Sequence, residues 1–181
     1  NLFEQQSTMR DALIAALTLN IFNNHCDKVA MANVAQLVNN LHSLFLACGD
    51  DLIVTPNYHV FDMFKGHQGA IGVRTVVEAE DVEFAAGDEA QKIQRINCSS
   101  SVTDGRLTVT IVNTHYDEPT EIDLELLGSD RSELVRKITL SSDDPHAHNT
   151  FEEPDRVQTK EVVQEIVKEK YTVMLPPASV T

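Results

Sequence analysis

VAMANVAQLVNNL, at residues 29–41, is the stretch that decides the predicted fold. Its first four residues are apolar, small and amide side chains follow, and apolar residues then resume. This pattern predicts a short buried strand whose end opens onto a polar site. Amides just past a buried strand suit hydroxyl-rich ligands, because each offers a donor and an acceptor without the desolvation cost of a charge. Asn33, Gln36 and Asn39 are therefore the first candidates for ligand binding.

Helices are predicted on both sides of this strand. Before it, apolar residues recur at helical spacing from Ser7 or Thr8 to about Asn23. After it, the apolar residues of 34–47 lie on one helical face, and Gly49 is placed to end that helix. Helix, strand and helix in this order form the repeating unit of α/β folds.

A further strand and helix follow before the pattern changes. Residues 52–54 predict a short strand, and Thr55 and Pro56 are suited to the N-cap and the first helical position. The predicted helix runs to about Lys65, and we expect its aromatic side chains to pack in the core.

Beyond residue 67 the hydrophobic period becomes two, which predicts a β domain. The predicted strands cover residues 71–79, 93–102, 107–113, 122–127 and 171–175. Asp104 and Gly105 predict a tight hairpin because both residue types tolerate positive φ. Residues 160–170 fit either a helix or an edge strand. The spacing favours an antiparallel sandwich, with a domain boundary near residue 67.

Charge and cysteine content restrict the possible partners. The 181 residues carry 14 basic and 28 acidic side chains, a formal charge of −14 that repels phosphate backbones and anionic membranes. We therefore expect no nucleic acid and no membrane as partner. Cys26, Cys48 and Cys98 form no C-x-x-C pair, which favours reduced thiols in a cytoplasmic protein.

Several separated motifs resemble the α-L-arabinofuranosidases of glycoside hydrolase family 51. They are TMRDAL (8–13), LNIFN (19–23), MANVAQLVN (31–39), TPNYHVF (55–61), DDPHAHNTFE (143–152) and LPPASVT (175–181). The resemblance implies the C-terminal portion of such an enzyme. We therefore expect α/β plus all-β structure: the end of a (β/α)8 TIM barrel at residues 1–66, then a jelly-roll-like antiparallel β-sandwich at residues 67–181.

The resemblance also assigns a binding residue. Residues 29–32 would be the eighth barrel strand, and barrel active sites lie at the C-terminal ends of the strands. In the family, the glutamine of the Asn-x-Ala-Gln motif hydrogen-bonds the arabinose, which implies substrate binding by Gln36. Asn33 and Asn39 are expected to be structural amides that hold the loop.

The implied chemistry is a retaining hydrolysis by two glutamates about 5–5.5 Å apart, which needs no metal or organic cofactor. Both glutamates belong to barrel strands upstream of this sequence, and no motif supports Glu4, Asp50 or Asp51 as a replacement. We expect the chain to be cut from something longer and to be inactive alone. It would require the missing N-terminal barrel portion, which could be a separate chain, and the resemblance implies a homo-oligomer, commonly a hexamer.

Other residues with functional potential are interpreted as structural. His25 and Cys26 precede the predicted strand, at the barrel end that serves stability. The loop containing Asp143, Asp144 and two histidines, His146 and His148, has metal-binding residue types, but its spacing matches no zinc motif, so we predict no metal site.

Two non-catalytic alternatives remain open for the β domain. It could be a carbohydrate-binding module, but such modules use aromatic platforms, and the chain has no Trp and only Tyr58, Tyr116 and Tyr171. It could instead be a structural and assembly domain that packs on the barrel.

Overall fold

The computed structural model describes residues 5–87, 89–128, 134–165 and 170–181. Its helices are α1 (Met9–Asn24) and α2 (Pro56–Phe64), the latter continued by a 3-10 turn at Lys65–His67. The strands are β1 (Phe45–Cys48), β2 (Asp51–Val54), β3 (Ile71–Val73), β4 (Asp81–Ala86), β5 (Glu89–Gln94), β6 (Ile96–Thr103), β7 (Arg106–Asn113), β8 (Thr120–Glu125), β9 (Leu134–Ser141), β10 (Thr159–Glu165), β11 (Lys170–Leu175) and β12 (Ser179–Val180).

A six-stranded sheet in the order β10-β9-β12-β7-β6-β3 organises the molecule. Successive side chains of a strand point to opposite faces, so Ile111 and Val112 of β7 belong to different cores. Val112 packs with the helices, whereas Ile111 packs with Val173 and Leu175 of the β8–β11 pair. The chain is thus mostly sheet and consistent with the predicted antiparallel β-sandwich, with helices on one outer face.

Helix α1 forms where its pattern predicts, and its first turn is capped twice. The Thr8 amide and hydroxyl both donate to the Asp11 carboxylate, at 2.8 and 2.7 Å. The amides of Met9 and Arg10, which have no partner within the helix, donate to carbonyls of the loop after β9. Its apolar face packs against β7, β9 and β12 with the side chains of Met9, Ala12, Leu13 and Ala16.

Asparagines attach the second half of α1 to β6. Ser99 donates to Oδ1 of the fully buried Asn20 at 2.7 Å and accepts from Asn23 at 3.1 Å. Asn24 donates to the carbonyl of Cys98 at 2.9 Å. The LNIFN motif therefore docks the helix on the sheet through polar side chains.

The structure contradicts the predictions for the stretch that follows α1. Residues 29–32 do not form a strand, because no neighbouring strand pairs with them among the described residues, and Met31 is 75% exposed. The helix predicted at 34–47 is also wrong. Asn39 (φ 63°) and Leu41 (φ 55°) are left-handed, which a right-handed helix does not permit, and the chain enters β1 instead.

The remaining local predictions have mixed outcomes. Gly49 does not end a helix; it has a φ of 61° in the turn between β1 and β2. The described residues form no parallel sheet, so a barrel segment is not seen at residues 1–66. The strand at 52–54 is confirmed as part of β2, and the helix that begins at Pro56 as α2.

In the β domain, the hairpin at Asp104 and Gly105 is confirmed, with φ values of 49° and 73°. The strand at 171–175 is confirmed as β11, and residues 159–165 form an edge strand, whereas residues 166–169 lie outside the described part. Of the strand predicted at 71–79, only Ile71–Val73 forms. The region 93–102 is divided between β5 and β6.

His67 fills the polar interface between the 3-10 turn and the sheet. Its ring contacts the hydroxyls of Ser101 and Thr110 at 2.8 and 2.6 Å. Burial lowers the pKa of His67, and burial likewise lowers the pKa of His59 on α2, against the opposing effect of nearby carboxylates. The turn approaches the sheet so closely that a Cβ on Gly66 would come within 2.8 Å of the Thr108 side chain.

The three cysteines are free thiols in different environments. Cys26 and Cys48 are exposed, whereas Cys98 lies in the core between the sheets, where burial raises its pKa to about 12.

We expect Asn20→Ala to lower the free energy of unfolding by about 1–3 kcal/mol, because it leaves the buried Ser99 hydroxyl without its acceptor. Chemical denaturation would measure this change. Adding Ser99→Ala should recover part of the loss, since both partners are then removed. Thr18→Ala, on the exposed side of the same helix, is the matched control and should change stability by less than about 0.5 kcal/mol. Equal losses in both variants would contradict the assigned role of Asn20.

We also expect stability to fall as pH is lowered through about 6.5. Because burial lowers the pKa of His59 and His67, the unfolded chain binds protons at a higher pH than the folded chain does. The loss therefore begins near the unfolded value of about 6.5 and ends below the lowered folded values. His67→Asn should flatten this dependence in denaturation curves, whereas His146→Asn, which removes an exposed imidazole, is the control. If the unfolding free energy depends on pH equally in wild type, His67→Asn and His59→Asn, these two histidines are not the cause of the loss of stability.

Candidate functional site

The loop that carries Gln36 has no regular secondary structure but is closely hydrogen-bonded. The Gln36 amide donates to the carbonyl of Asn40 at 3.3 Å, and Asn40 Nδ2 donates to Gln36 Oε1 at 3.2 Å. The His42 amide donates to the carbonyl of Ala35 at 3.1 Å. The peptide bond between Ala35 and Gln36 is cis. Residues 35–42 thus fold back on themselves with Gln36 at the exposed side.

Asn39 fastens this loop to β1. Its side chain accepts from the Ala47 amide at 2.7 Å and donates to the Ala47 carbonyl at 2.9 Å. Its own amide donates to the carbonyl of Phe45 at 3.0 Å, and the Leu37 carbonyl accepts from Phe45 at 3.1 Å. Asn39 therefore holds the loop, as predicted for a structural amide, and its side chain is already occupied.

The end of the loop rests on the N-terminus of α2. The Thr55 hydroxyl donates to the carbonyl of buried Ser43 at 2.7 Å, and the Thr55 amide donates to Leu44 at 3.0 Å. The carbonyl of Val54, the residue before Thr55, accepts from Asn149 Nδ2 at 3.0 Å. The Asn149 side chain also donates to the carbonyl of Val157 and accepts from its backbone amide. The Gln36 loop is consequently tied to the sandwich on the side of β2 and α2.

Gln36 has an exposed side chain with one of its two polar groups already hydrogen-bonded. Its Oε1 accepts from Asn40, which leaves the Nε2 donors at an exposed position. Asn33 is exposed in the same loop. The sequence prediction overlooked Asn40, although the adjacent pair Asn39 and Asn40 signalled a bend, since asparagine is enriched in turns and left-handed conformations.

The residues considered for other sites have local structural contacts. Asp144 accepts from the His146 amide at 2.8 Å, and the His148 ring contacts the His146 carbonyl at 3.0 Å. Among the described residues, no group of three or more His, Cys, Asp or Glu side chains is placed to hold a metal. His25, Cys26, Asp50 and Asp51 are exposed, and Glu4 lies outside the described residues.

Among the described residues, the three tyrosines do not form a common platform. Tyr58 packs against Phe45 with ring centroids 5.4 Å apart, and Tyr171 packs in the core between the sheets. Tyr116 is 48% exposed in the connection after β7. A shallow groove of about 280 Å³ lies along the β4–β5 hairpin beside Phe84 and contains none of the predicted site residues. No helix in the described ranges has the length and apolar character needed to cross a membrane.

Comparisons with known proteins extend over nearly the whole chain. A family model described as the α-L-arabinofuranosidase C-terminal domain matches residues 1–179. An intracellular exo-α-L-arabinofuranosidase of Bacteroides ovatus is 32% identical over 180 residues, which is 97% of this chain and 34% of that protein. An intracellular exo-α-(1→5)-L-arabinofuranosidase of Streptomyces lividans is 27% identical over 160 residues, which is 86% of this chain and 23% of that protein.

Solved structures of α-L-arabinofuranosidases have the same fold. The crystal structure of the GH51 arabinofuranosidase from Xanthomonas axonopodis pv. citri superposes with a TM-score of 0.88 at 26% identity. The match covers 98% of this chain and 36% of that one, so the chain spans about a third of the length of such relatives. The chain therefore belongs to the α-L-arabinofuranosidase C-terminal domain family and matches the C-terminal portion of the family 51 enzymes.

Proposed function

We propose that this chain is the C-terminal part of an α-L-arabinofuranosidase and supplies the Gln36 loop to its substrate site. The enzyme would release terminal non-reducing α-L-arabinofuranosyl residues from arabinose-containing polysaccharides and oligosaccharides. The family match over residues 1–179 carries this proposal. The names of the Bacteroides and Streptomyces relatives support the substrate class, and their description as intracellular supports a cytoplasmic location.

In the proposed site, Gln36 binds rather than reacts. Its free Nε2 donors can pair with sugar oxygens, and a neutral amide does so without the desolvation cost of a charge. Hydrolysis with retention requires an acid/base and a nucleophilic glutamate, which we assign to the part of the enzyme outside this chain. This chain alone would bind sugar weakly and cleave nothing.

We further propose that the preceding part of the enzyme covers an apolar surface beside the loop. Ile14 and Ile21 on α1 are 48% and 51% exposed, and Met31 and Leu37 are 75% and 59% exposed. A helix that is apolar on two faces is normally buried on both. Because the relatives are about three times as long, their additional chain is the natural occupant of this surface. Residues 1–66 would then belong to the barrel and residues 67–181 to the sandwich.

We propose that the assembled enzyme is a homo-oligomer. The family resemblance implies that this oligomer is a hexamer. Size-exclusion chromatography with multi-angle light scattering of the full-length enzyme would test this proposal, because a monomer at micromolar concentration would contradict it.

We expect Gln36→Ala in the full-length enzyme to raise KM and the arabinose Kd by about two- to tenfold, the equivalent of one neutral hydrogen bond. Gln91→Ala, an exposed glutamine on β5, is the matched control and should leave both constants unchanged. The 181-residue chain alone should show no arabinofuranoside hydrolysis. Turnover by that chain, or unchanged binding in Gln36→Ala, would overturn the proposal. Saturable oligosaccharide binding that depends on Tyr116 instead would favour a carbohydrate-binding module.

The proposed covering of α1 predicts a contrast between two contexts. In the 181-residue chain, Ile14→Glu and Ile21→Glu should change the free energy of unfolding by less than about 0.5 kcal/mol, because both positions face solvent. In the full-length enzyme, the same variants should lose about 3 kcal/mol or more, because a carboxylate would be buried without a partner. Val162→Glu on the exposed edge strand β10 is the control. Equal effects in both contexts would show that nothing covers this surface.

A further inference from the structure

Asn40 is the neighbour that determines how Gln36 can meet a ligand. The two residues are joined twice: Gln36 donates its backbone amide to the Asn40 carbonyl, and Asn40 Nδ2 donates to Gln36 Oε1. We propose that Asn40 is a positioning residue that turns the Gln36 amide so that its Nε2 donors, and not its oxygen, face the sugar. This inference rests on the proposed sugar contact of Gln36.

The proposal follows from the chemistry of the amide group. A glutamine side chain has one oxygen acceptor and one NH2 donor group, and a rotation by half a turn exchanges their places. While Asn40 keeps the orientation seen here, its donor beside Oε1 removes this ambiguity, because the flipped Gln36 amide would place its own NH2 against the NH2 of Asn40. Asn40 thereby selects an oxygen acceptor as the ligand group that Gln36 binds.

The position of Asn40 is itself fixed by the backbone. The backbone amide of Asn40 donates to the carbonyl of Val38 at 2.9 Å, and residues Asn39 and Leu41 on either side of it have left-handed backbone conformations. Both polar atoms of the Asn39 side-chain amide are hydrogen-bonded to β1. The bend that brings Asn40 to Gln36 is therefore supported from outside the loop. Asn40 is also half-buried, whereas Gln36 is exposed. The donor is therefore part of the scaffold and the acceptor is part of the ligand surface.

The test uses full-length enzyme with Asn40→Ala, Asn40→Asp, Gln36→Ala and the two double variants. Asn40→Asp is nearly isosteric but can only accept, so it should draw the Gln36 NH2 toward itself and turn the oxygen to the ligand. We expect each single Asn40 variant to raise KM and the arabinose Kd by about two- to tenfold with kcat little changed, as for lost uniform binding. In the Gln36→Ala background, the same Asn40 changes should have no further effect.

The direction of the Gln36 amide can be read separately with deoxyfluoro arabinose analogues in which one hydroxyl is replaced at a time. A sugar hydroxyl can donate or accept, whereas fluorine can only accept. At the contacted position, the replacement should therefore weaken binding more in Asn40→Asp than in wild-type enzyme. An equal cost in both enzymes at every position would overturn the assigned orientation.

The outcomes separate the inference from the function on which it rests. If Gln36→Ala leaves KM and Kd unchanged, the proposed sugar contact is wrong and the inference falls with it. If Gln36→Ala weakens binding but the Asn40 variants do not, or their effects persist in the Gln36→Ala background, only the positioning role is wrong. Thermal unfolding of Asn40→Asp identifies a folding defect, and in that case the analogue series on Asn40→Ala decides between the same outcomes.

Discussion

The docking of α1 on the sheet is the constraint on which the rest of the structure depends. At its first turn, amides of the helix donate to carbonyls of the loop after β9, and at its last turns, asparagines bind β6. Between these ends, Ala12 and Ala16 pack in the same core as Val112 and Val180. A helix held at both ends and along one side cannot move without uncovering this face of the sheet, so residues on both sides of position 67 share the core beneath α1.

This arrangement gives the sandwich a direct influence on the candidate site. The segment that contains the Gln36 loop follows the end of α1. Its last residues, just before β1, are hydrogen-bonded to Thr55 at the beginning of α2. α1 packs on the sheet, and Asn149 ties the strand before α2 to the sandwich loop. The position of Gln36 is thus set by contacts with the β domain as well as by its own loop. Contacts of the β domain can in this way support the geometry of the candidate site.

The sequence predicted those parts of the fold whose signals are local. The hydrophobic spacing of α1 and the positive-φ pair at Asp104 and Gly105 need no information from distant residues. The loop was predicted wrongly because its apolar residues do have helical spacing, while the bend depends on Asn39 meeting Ala47. Ala47 lies on β1, which pairs with β2, so the contact depends on residues beyond the predicted helix. The amide pattern made Gln36 one of three candidates and the resemblance then selected it, whereas the role proposed for Asn40 depends on its contact with Gln36.

The left-handed residue Leu41 shows how far the loop shape is imposed by its surroundings. A non-glycine residue with a φ of 55° costs about 1–2 kcal/mol relative to the right-handed region, and leucine has no side-chain group to compensate. Such a conformation persists only where neighbouring contacts fix it. Here these are the hydrogen bonds between Asn39 and Ala47, and those that Thr55 donates to the carbonyls of residues 43 and 44. A glycine would relieve the strain but would add conformational freedom to the unfolded chain. The contacts on both sides of Leu41 therefore hold the Gln36 loop in its bent shape.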